Sequence, residues 1–182
     1  RVQHWIRVRL YKNPMQINKG ENKMSWEEFR EKGRIVEKIF TQKHLTNVIK
    51  SSNYQDFNEH WDVQGDFDGR TLKFDVKGLK KTNRWDANIQ DENAWVEGTN
   101  VRGRPGWVKG KADYIVFERN NYWLMVNREE LFNFVNNKLK ENSYAQGKIP
   151  YHVYQREGRQ DKITLVPYVD IENLKDVKKL EK

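Results

Sequence analysis

Cysteine is absent from the 182 residues, and this excludes disulfide frameworks, thiol nucleophiles, iron–sulfur clusters and Cys-ligated zinc. It also suits a chain working in a reducing cytoplasm. The four histidines (His4, His44, His60 and His152) are scattered, with no H-E-x-x-H among them, so zincin chemistry is excluded too. No G-x-S-x-G occurs, and Gly110-Lys111 lacks the upstream glycine and the following Ser or Thr of a P-loop. Long apolar runs are missing as well. The longest, Tyr122 to Val126, is strand-sized, against the ~18–20 residues of a membrane span. The first residues do not read as a secretory peptide. Carboxylates, lysines and a hard divalent cation are what remain for catalysis.

Apolar residues are few (36%) and charged ones many (33%), a balance that borders on disorder, yet aromatics reach 13%. Disordered chains are poor in aromatics, so a folded domain is predicted. At roughly 100–200 residues per domain, one domain is expected. The 34 basic and 26 acidic side chains leave a net charge of +8, which favours a polyanionic partner.

Residues 1–24 show no cap or period tying them to the rest of the chain and read as an N-terminal extension. Met15 is a candidate native start, with vector-derived residues before it. A single domain is predicted over 25–182. It opens with the capping box Ser25-x-x-Glu28, and Phe29, Val36, Ile39 and Phe40 give a helix one apolar face to about His44. Glu37 falls on the flank of that face. Leu45 to Lys50 reads as a short strand.

Two alternating runs around Asp68-Gly69 then predict a hairpin. Period two puts Asp75 and Lys77 on one face and Leu72, Phe74 and Val76 on the other. A turn centred between Phe67 and Asp68 pairs Asp62 with Lys73. Asp75 is then its diagonal neighbour at about 7–8 Å, within which two carboxylates can converge on one ion.

From Gly78 to Lys111 the chain is irregular and basic, with Lys80, Lys81, Arg84, Arg102, Arg104, Lys109 and Lys111. The echo between Trp95–Gly98 and Trp107–Gly110 predicts a ribbon with a basic tip at Arg102 and Arg104. Trp85, Trp95 and Trp107 read first as packing residues and second as base-stacking platforms. Gln90, Glu92 and Glu97 are candidates for supporting a nearby site. A hairpin is expected from Ala112–Glu118 and Tyr122–Val126. Next comes a helix capped by Asn127-x-x-Glu130, with Leu131, Phe134, Val135 and Leu139 inward. Strands are expected at Tyr151–Tyr154 and Ile163–Val166, and the charged tail after Asp170 reads as a helix.

A helix carrying Gly33 to Glu37, then Asp62, then Asp75-Val76-Lys77 thirteen residues on resembles the PD-(D/E)XK nuclease superfamily. The resemblance covers about Ser25 to Glu118; Trp61 stands where the proline of the name would be. It implies an α/β, restriction-endonuclease-like or Holliday-junction-resolvase-like fold, a mixed sheet flanked by helices. The usual core is a helix, three strands, a helix and a strand.

It also implies a metal-dependent deoxyribonuclease, an endonuclease in the first instance, using Mg²⁺ with Mn²⁺ as substitute. Asp62, Asp75 and the Val76 carbonyl would be ligands, with Glu37 completing the site directly or through a water. Lys77 would orient or deprotonate the attacking water and stabilise developing charge. The residues agree: two carboxylates on one strand face offer hard oxygens to Mg²⁺, and such an ion polarises a phosphoryl oxygen and acidifies water. The cation would lower the proton affinity of Lys77.

DNA is the expected partner, contacted by Lys80, Lys81, Arg84, Arg102 and Arg104, in the cytoplasm of a bacterial or phage-infected cell. No membrane partner is expected, and a homodimer stays open. The alternative is a non-catalytic nucleic-acid-binding protein retaining the nuclease fold. A phosphoesterase for other substrates would leave the arginine-rich segment without a purpose.

Overall fold

A 19-residue helix, α1 (Trp26–His44), carries Glu27 and Glu28 in its first turn and Lys43 and His44 in its last, the charge order that complements a helix dipole. The computed structural model describes residues 26–82, 88–144 and 149–182. The extension 1–24, the Ser25 capping box, Arg84 and Trp85 lie outside the described residues. After α1 come β1 (Thr46–Lys50), α2 (Asn53–Glu59), β2 (Val63–Phe67), β3 (Arg70–Lys77), β4 (Asn93–Thr99), β5 (Tyr114–Glu118) and β6 (Tyr122–Asn127). The remaining elements are α3 (Arg128–Lys138), β7 (Lys140–Tyr144), β8 (His152–Val153), β9 (Lys162–Pro167), α4 (Tyr168–Glu172) and β10 (Val177–Glu181).

Among the described residues the fold is α/β, with four helices and a mixed six-stranded sheet in the order β1-β2-β3-β5-β6-β10. Only β3 and β5 run parallel within it. A second, two-stranded sheet pairs β4 with β9, and a third β7 with β8.

Period two divides the large sheet into two apolar faces. Val63, Phe74, Val116, Trp123 and Met125 pack with Phe40 of α1. Ile115, Phe117, Leu124 and Val126 pack with Val96, Trp107, Leu131, Val166 and Ile171 on the opposite side. Phe40 seats α1, its ring meeting Phe74 and Trp123 edge-on at 5.8 and 5.4 Å. Ile39, expected inward, is 46% exposed. The helix instead turns in the i, i+4 line Val36, Phe40 and His44.

Three sequence expectations are corrected. The hairpin turns at Asp68-Gly69, both at positive φ (50° and 75°), as a two-residue hairpin loop with matching twist requires. Paired positions therefore run Val63↔Phe74 to Phe67↔Arg70, and Lys73 faces Gln64 rather than Asp62.

The echo around Trp95 and Trp107 makes only the base of a ribbon, where Thr99 bridges Pro105 and Gly106 N–H donates to the Gly98 carbonyl at 3.2 Å. Trp95–Gly98 belongs to β4, whose partner is β9. Trp107–Lys109 is a 3-10 turn that buries Trp107 and Val108 in the core.

The charged tail is also no helix beyond Glu172; it ends as β10, antiparallel to β6. Val177 packs with one core face and Leu180 with the other. Residues three apart point to opposite faces of a strand but the same side of a helix. The short α2 was not foreseen, although Ser52-x-x-Gln55 is a reciprocal capping box in the structure.

Candidate active site

Asp75 and Lys77 leave β3 on the face opposite α1, beside Ile115 and Phe117 of parallel β5. Asp62 lies one residue outside the β2–β3 register, next to Val63. The backbone holds it there. Asp62 N–H donates to the Phe74 carbonyl at 2.8 Å, and Ser51 N–H donates to the Asp62 carbonyl at 2.9 Å. Asp62 Oδ2 in turn accepts from Val76 N–H at 2.7 Å. The acidic pair is thus brought together at the end of the β2–β3 ladder, close enough for Asp62 to act on the Asp75 carboxyl.

Asp75 is 1% exposed. Its Oδ1 lies 2.5 Å from Lys77 Nζ, while Oδ2 is buried and has no hydrogen-bond partner among the described residues. Burial pushes the Asp75 carboxyl well above the usual carboxylate range; Lys77 opposes the shift and Asp62 adds to it. Burial also works against a charged Lys77, but Asp75 and Asp62 outweigh it and its pKa is raised. Without a cation, then, Lys77 is a firmly protonated partner. Its Nζ stands 5.1 Å from the Trp107 ring centroid, a cation–π contact that adds a second hold on the ammonium.

Glu37 is half-buried on the flank of α1, 3.0 Å from Lys50 Nζ. Burial raises its pKa, the Lys50 hydrogen bond lowers it, and the charge of Asp62 raises it. The structure therefore brings Glu37, Asp62, Asp75 and Lys77 into one electrostatic neighbourhood. It adds two groups the sequence reading missed. Asp56 on α2 is exposed, yet its carboxyl is partly desolvated by the protein beside it; this and then Asp62 raise its pKa, with Lys77 opposing. The pKa of His60 at the end of α2 is lowered by burial, the Pro105 carbonyl opposing and Lys77 adding to the shift. The capping box that defines α2 was the readable signal for both.

A strap over 105–111 crosses this cluster. His60 Nε2 bonds the Pro105 carbonyl at 3.0 Å. Lys111 N–H donates to the Glu59 carbonyl at 2.6 Å, and Lys111 Nζ pairs with Glu59 Oε1 at 2.8 Å. Two glycines permit the close approach. A Cβ at Gly106 would stand 2.3 Å from the Glu97 carbonyl oxygen, and one at Gly110 2.6 Å from His60 Cβ. Glu97 accepts from Trp107 N–H, and its pKa is raised by burial with Lys77 opposing. It is the one of the three supporting candidates whose charge reaches Lys77. Gln90 instead ties the entry to β4, through Glu92 N–H, Asn93 N–H and the Asn93 carbonyl.

The basic residues divide. Lys80 is exposed but lies within electrostatic reach of Lys77 and Asp75; partial desolvation and then Lys77 lower its pKa. Lys81 is exposed, its carbonyl accepting from Trp95 Nε1 at 3.3 Å. Arg102 and Arg104 are exposed on a tight turn where Asn100 Oδ1 accepts both of their N–H groups. Thr99 and Pro105 bridge its base, so the expected basic tip exists and is anchored beside His60. Trp107 is a core residue, and Trp95 packs on Tyr154 at 6.1 Å; both agree with the packing reading.

Among the described residues no group of three His, Asp or Glu side chains is assembled to hold a metal ion. Two neighbouring carboxylates nevertheless suit Mg²⁺, which keeps several waters and takes few protein ligands. A buried carboxylate oxygen without a partner is costly until a proton or cation covers it. No helix among the described residues is long and apolar enough to cross a membrane. Compared with protein-family models, curated proteins and solved structures, the chain matches none of them.

Proposed function

We propose that the protein is a restriction-endonuclease-like enzyme of the PD-(D/E)XK type, hydrolysing phosphodiester bonds in DNA with Mg²⁺, or Mn²⁺ in its place. The observation that carries this reading is the pairing of Asp62 with Asp75, with Lys77 on the same face and Asp75 Oδ2 buried and unpartnered. The element order supports it: a helix, three antiparallel strands with the short α2 between the first two, then a crossover to β5, parallel to β3. In this chain β4 and the 3-10 turn make the crossover in place of a second core helix.

Asp62 and Asp75 would hold the cation, with the Val76 carbonyl and Glu37 as further donors, Glu37 directly or through a water. When bound, the ion supplies Lewis acidity to a phosphoryl oxygen and acidifies the attacking water. Lys77, held by Asp75 and Trp107, keeps a positive charge where negative charge builds up on the reacting phosphate. The test is cleavage of linear, circular, branched and single-stranded DNA with Mg²⁺, Mn²⁺ or EDTA. Metal-dependent cutting is expected. Binding without cutting under every metal would leave only the non-catalytic nucleic-acid-binding alternative.

The basic turn has its own expected result. Neutralised phosphates release counterions, giving a slope of log affinity against log salt of about −0.9 per contact on duplex DNA. Arg102→Ala with Arg104→Ala should weaken binding across sequences and make the slope shallower by about one to two units. Titrations in Ca²⁺ keep binding apart from cleavage. An unchanged slope would remove the turn from the phosphate-binding surface.

A further inference from the structure

The helix α2 is seven residues long and buries none of its side chains. Short helices in water are ordinarily held by an apolar face packed on the protein. Here the order comes from its ends. The Ser52/Gln55 capping box closes the start, and His60 stops the helix in the left-handed conformation at φ 54°. Asn58 Nδ2 also donates to the Tyr54 carbonyl at 2.9 Å. The two aromatic residues it carries are left in solvent, Tyr54 70% and Phe57 66% exposed. Residues three apart share a helix face, so the rings form one apolar surface on a rigid mount.

The helix that carries this surface adjoins the acidic cluster: Asp56, on a different face from the two rings, interacts electrostatically with Asp62, Lys77 and Arg30, and Tyr54 with Lys111 of the strap. Phe57 is five residues before Asp62, so their Cα atoms are at most about 17 Å apart even in an extended chain. We propose that Tyr54 and Phe57 are a stacking platform for unpaired bases of the nucleic-acid strand whose phosphate enters the Asp62–Asp75–Lys77 site. This rests on the nuclease reading and adds a substrate class to it: nucleic acid with single-stranded nucleotides next to the scissile bond.

One further observation favours bases over a protein partner. Aromatic side chains bury about 150–250 Å² each, so two rings supply far less than the roughly 1,200–2,000 Å² of a stable protein interface. Base stacking needs only the ring faces. Lys111, which pairs with Glu59, and Arg30, which faces Asp56, are the cations on this side of the helix.

The test measures anisotropy of labelled single-stranded, duplex and splayed-fork DNA against the full chain in Ca²⁺. The variants are Tyr54→Ala, Phe57→Ala, both together, Tyr54→Leu with Phe57→Leu, and Phe57→Trp. Stacking predicts that each alanine lowers single-strand and fork affinity about five-fold or more, so the ratio of single-strand to duplex affinity falls in step. The leucine pair, apolar but without π-faces, should lose affinity like the alanines, and Phe57→Trp should keep or gain it. A 2-aminopurine base beside the scissile position should be quenched by the wild type and not by the double alanine variant. Circular dichroism checks that the fold persists in each variant.

Unchanged single-strand affinity in the double alanine variant, with wild-type cleavage intact, would overturn the platform and leave the nuclease reading standing. Leucine variants that bind like wild type would overturn it too, as would a dimer that falls apart in the alanine variants with no change in nucleic-acid affinity. A wild type that binds no DNA under any metal would overturn both.

Discussion

Asp75→Asn is expected to lower cleavage by roughly 10²–10³-fold or more and, in EDTA, to abolish the loss of stability that the wild type undergoes as pH rises. The two effects share one cause. Asp75 is buried, with one oxygen on Lys77 and the other without a partner, and its folded pKa is raised by burial and by Asp62 against the pull of Lys77. A carboxyl whose folded pKa lies above its unfolded value (about 3.9) contributes stability that is full below the unfolded pKa. That contribution is lost as pH rises through the folded pKa. Wild-type stability in EDTA should therefore decline with rising pH across that window, and asparagine, neutral throughout, should flatten the decline.

Mg²⁺ bound to the ionised form would reverse the sign. At a hundred times its dissociation constant, a ligand of the folded state adds about 2.7 kcal/mol, an increment Asp75→Asn should lack. Asp62→Asn is the contrasting variant. Its amide oxygen can still accept from Val76 N–H, so it should lose metal affinity and cleavage with little change in metal-free stability. Urea melts from acid to neutral pH, with Mg²⁺ or EDTA, separate these outcomes. Calorimetry showing undiminished Mg²⁺ affinity in both variants would remove the pair from the site.

Why the acidic pair was legible and its surroundings were not is a matter of range. The D-x-K phase on β3 and the Asp-Gly turn are local, so period two and turn chemistry placed Asp75 and Lys77 on one face and Leu72 and Phe74 on the other. The register needed one further fact, that Asp68 as well as Gly69 takes positive φ. A turn shifted by one residue moves Lys73 from Asp62 to Gln64.

Trp107 defeated the local reading. Its resemblance to Trp95 suggested a ribbon, but burial against Phe117 at 6.1 Å and the close approach of Gly106 to Glu97 folded it into a 3-10 turn over the site. Tertiary packing overrode a sequence echo. The tail after Asp170 failed for a similar reason: its charge suits a solvated helix, and only the free edge of β6 makes it a strand. Glu37 needed no such help, because a helix flank and a short following strand suffice to carry it toward Asp62. Asp56 and His60 depended on α2, a helix held by its caps, with no buried apolar stripe for periodicity to detect.

Lys77 is where the site's chemistry and the fold's stability meet, and Lys77→Met is the variant that separates them. Methionine keeps an unbranched stem to lie against Trp107 but removes the ammonium. Cleavage should fall roughly 10²–10³-fold if the charge acts on the reacting phosphate. Mg²⁺ affinity should hold or tighten, since Asp75 is no longer shared with an internal cation.

Stability should also fall, in a pH-dependent way. Removing one partner of a buried ion pair costs about 3–5 kcal/mol when the other stays charged, and the Lys77 side chain is only 26% exposed. Because the folded pKa of Lys77 is raised, its contribution is whole below its unfolded pKa of about 10.4 and disappears as pH rises through the folded value. At neutral pH the wild type has all of it. The variant can shed the penalty only by protonating Asp75, so its deficit in EDTA should be small in acid and grow toward neutral pH. Adding Asp75→Asn to Lys77→Met removes the stranded charge and should recover most of the lost stability without recovering cleavage. Rescue of stability alone marks a charge that acts on substrate. A Lys77→Met protein that cleaves DNA within a few-fold of wild type would show that Lys77 is only the counter-charge of a buried carboxylate.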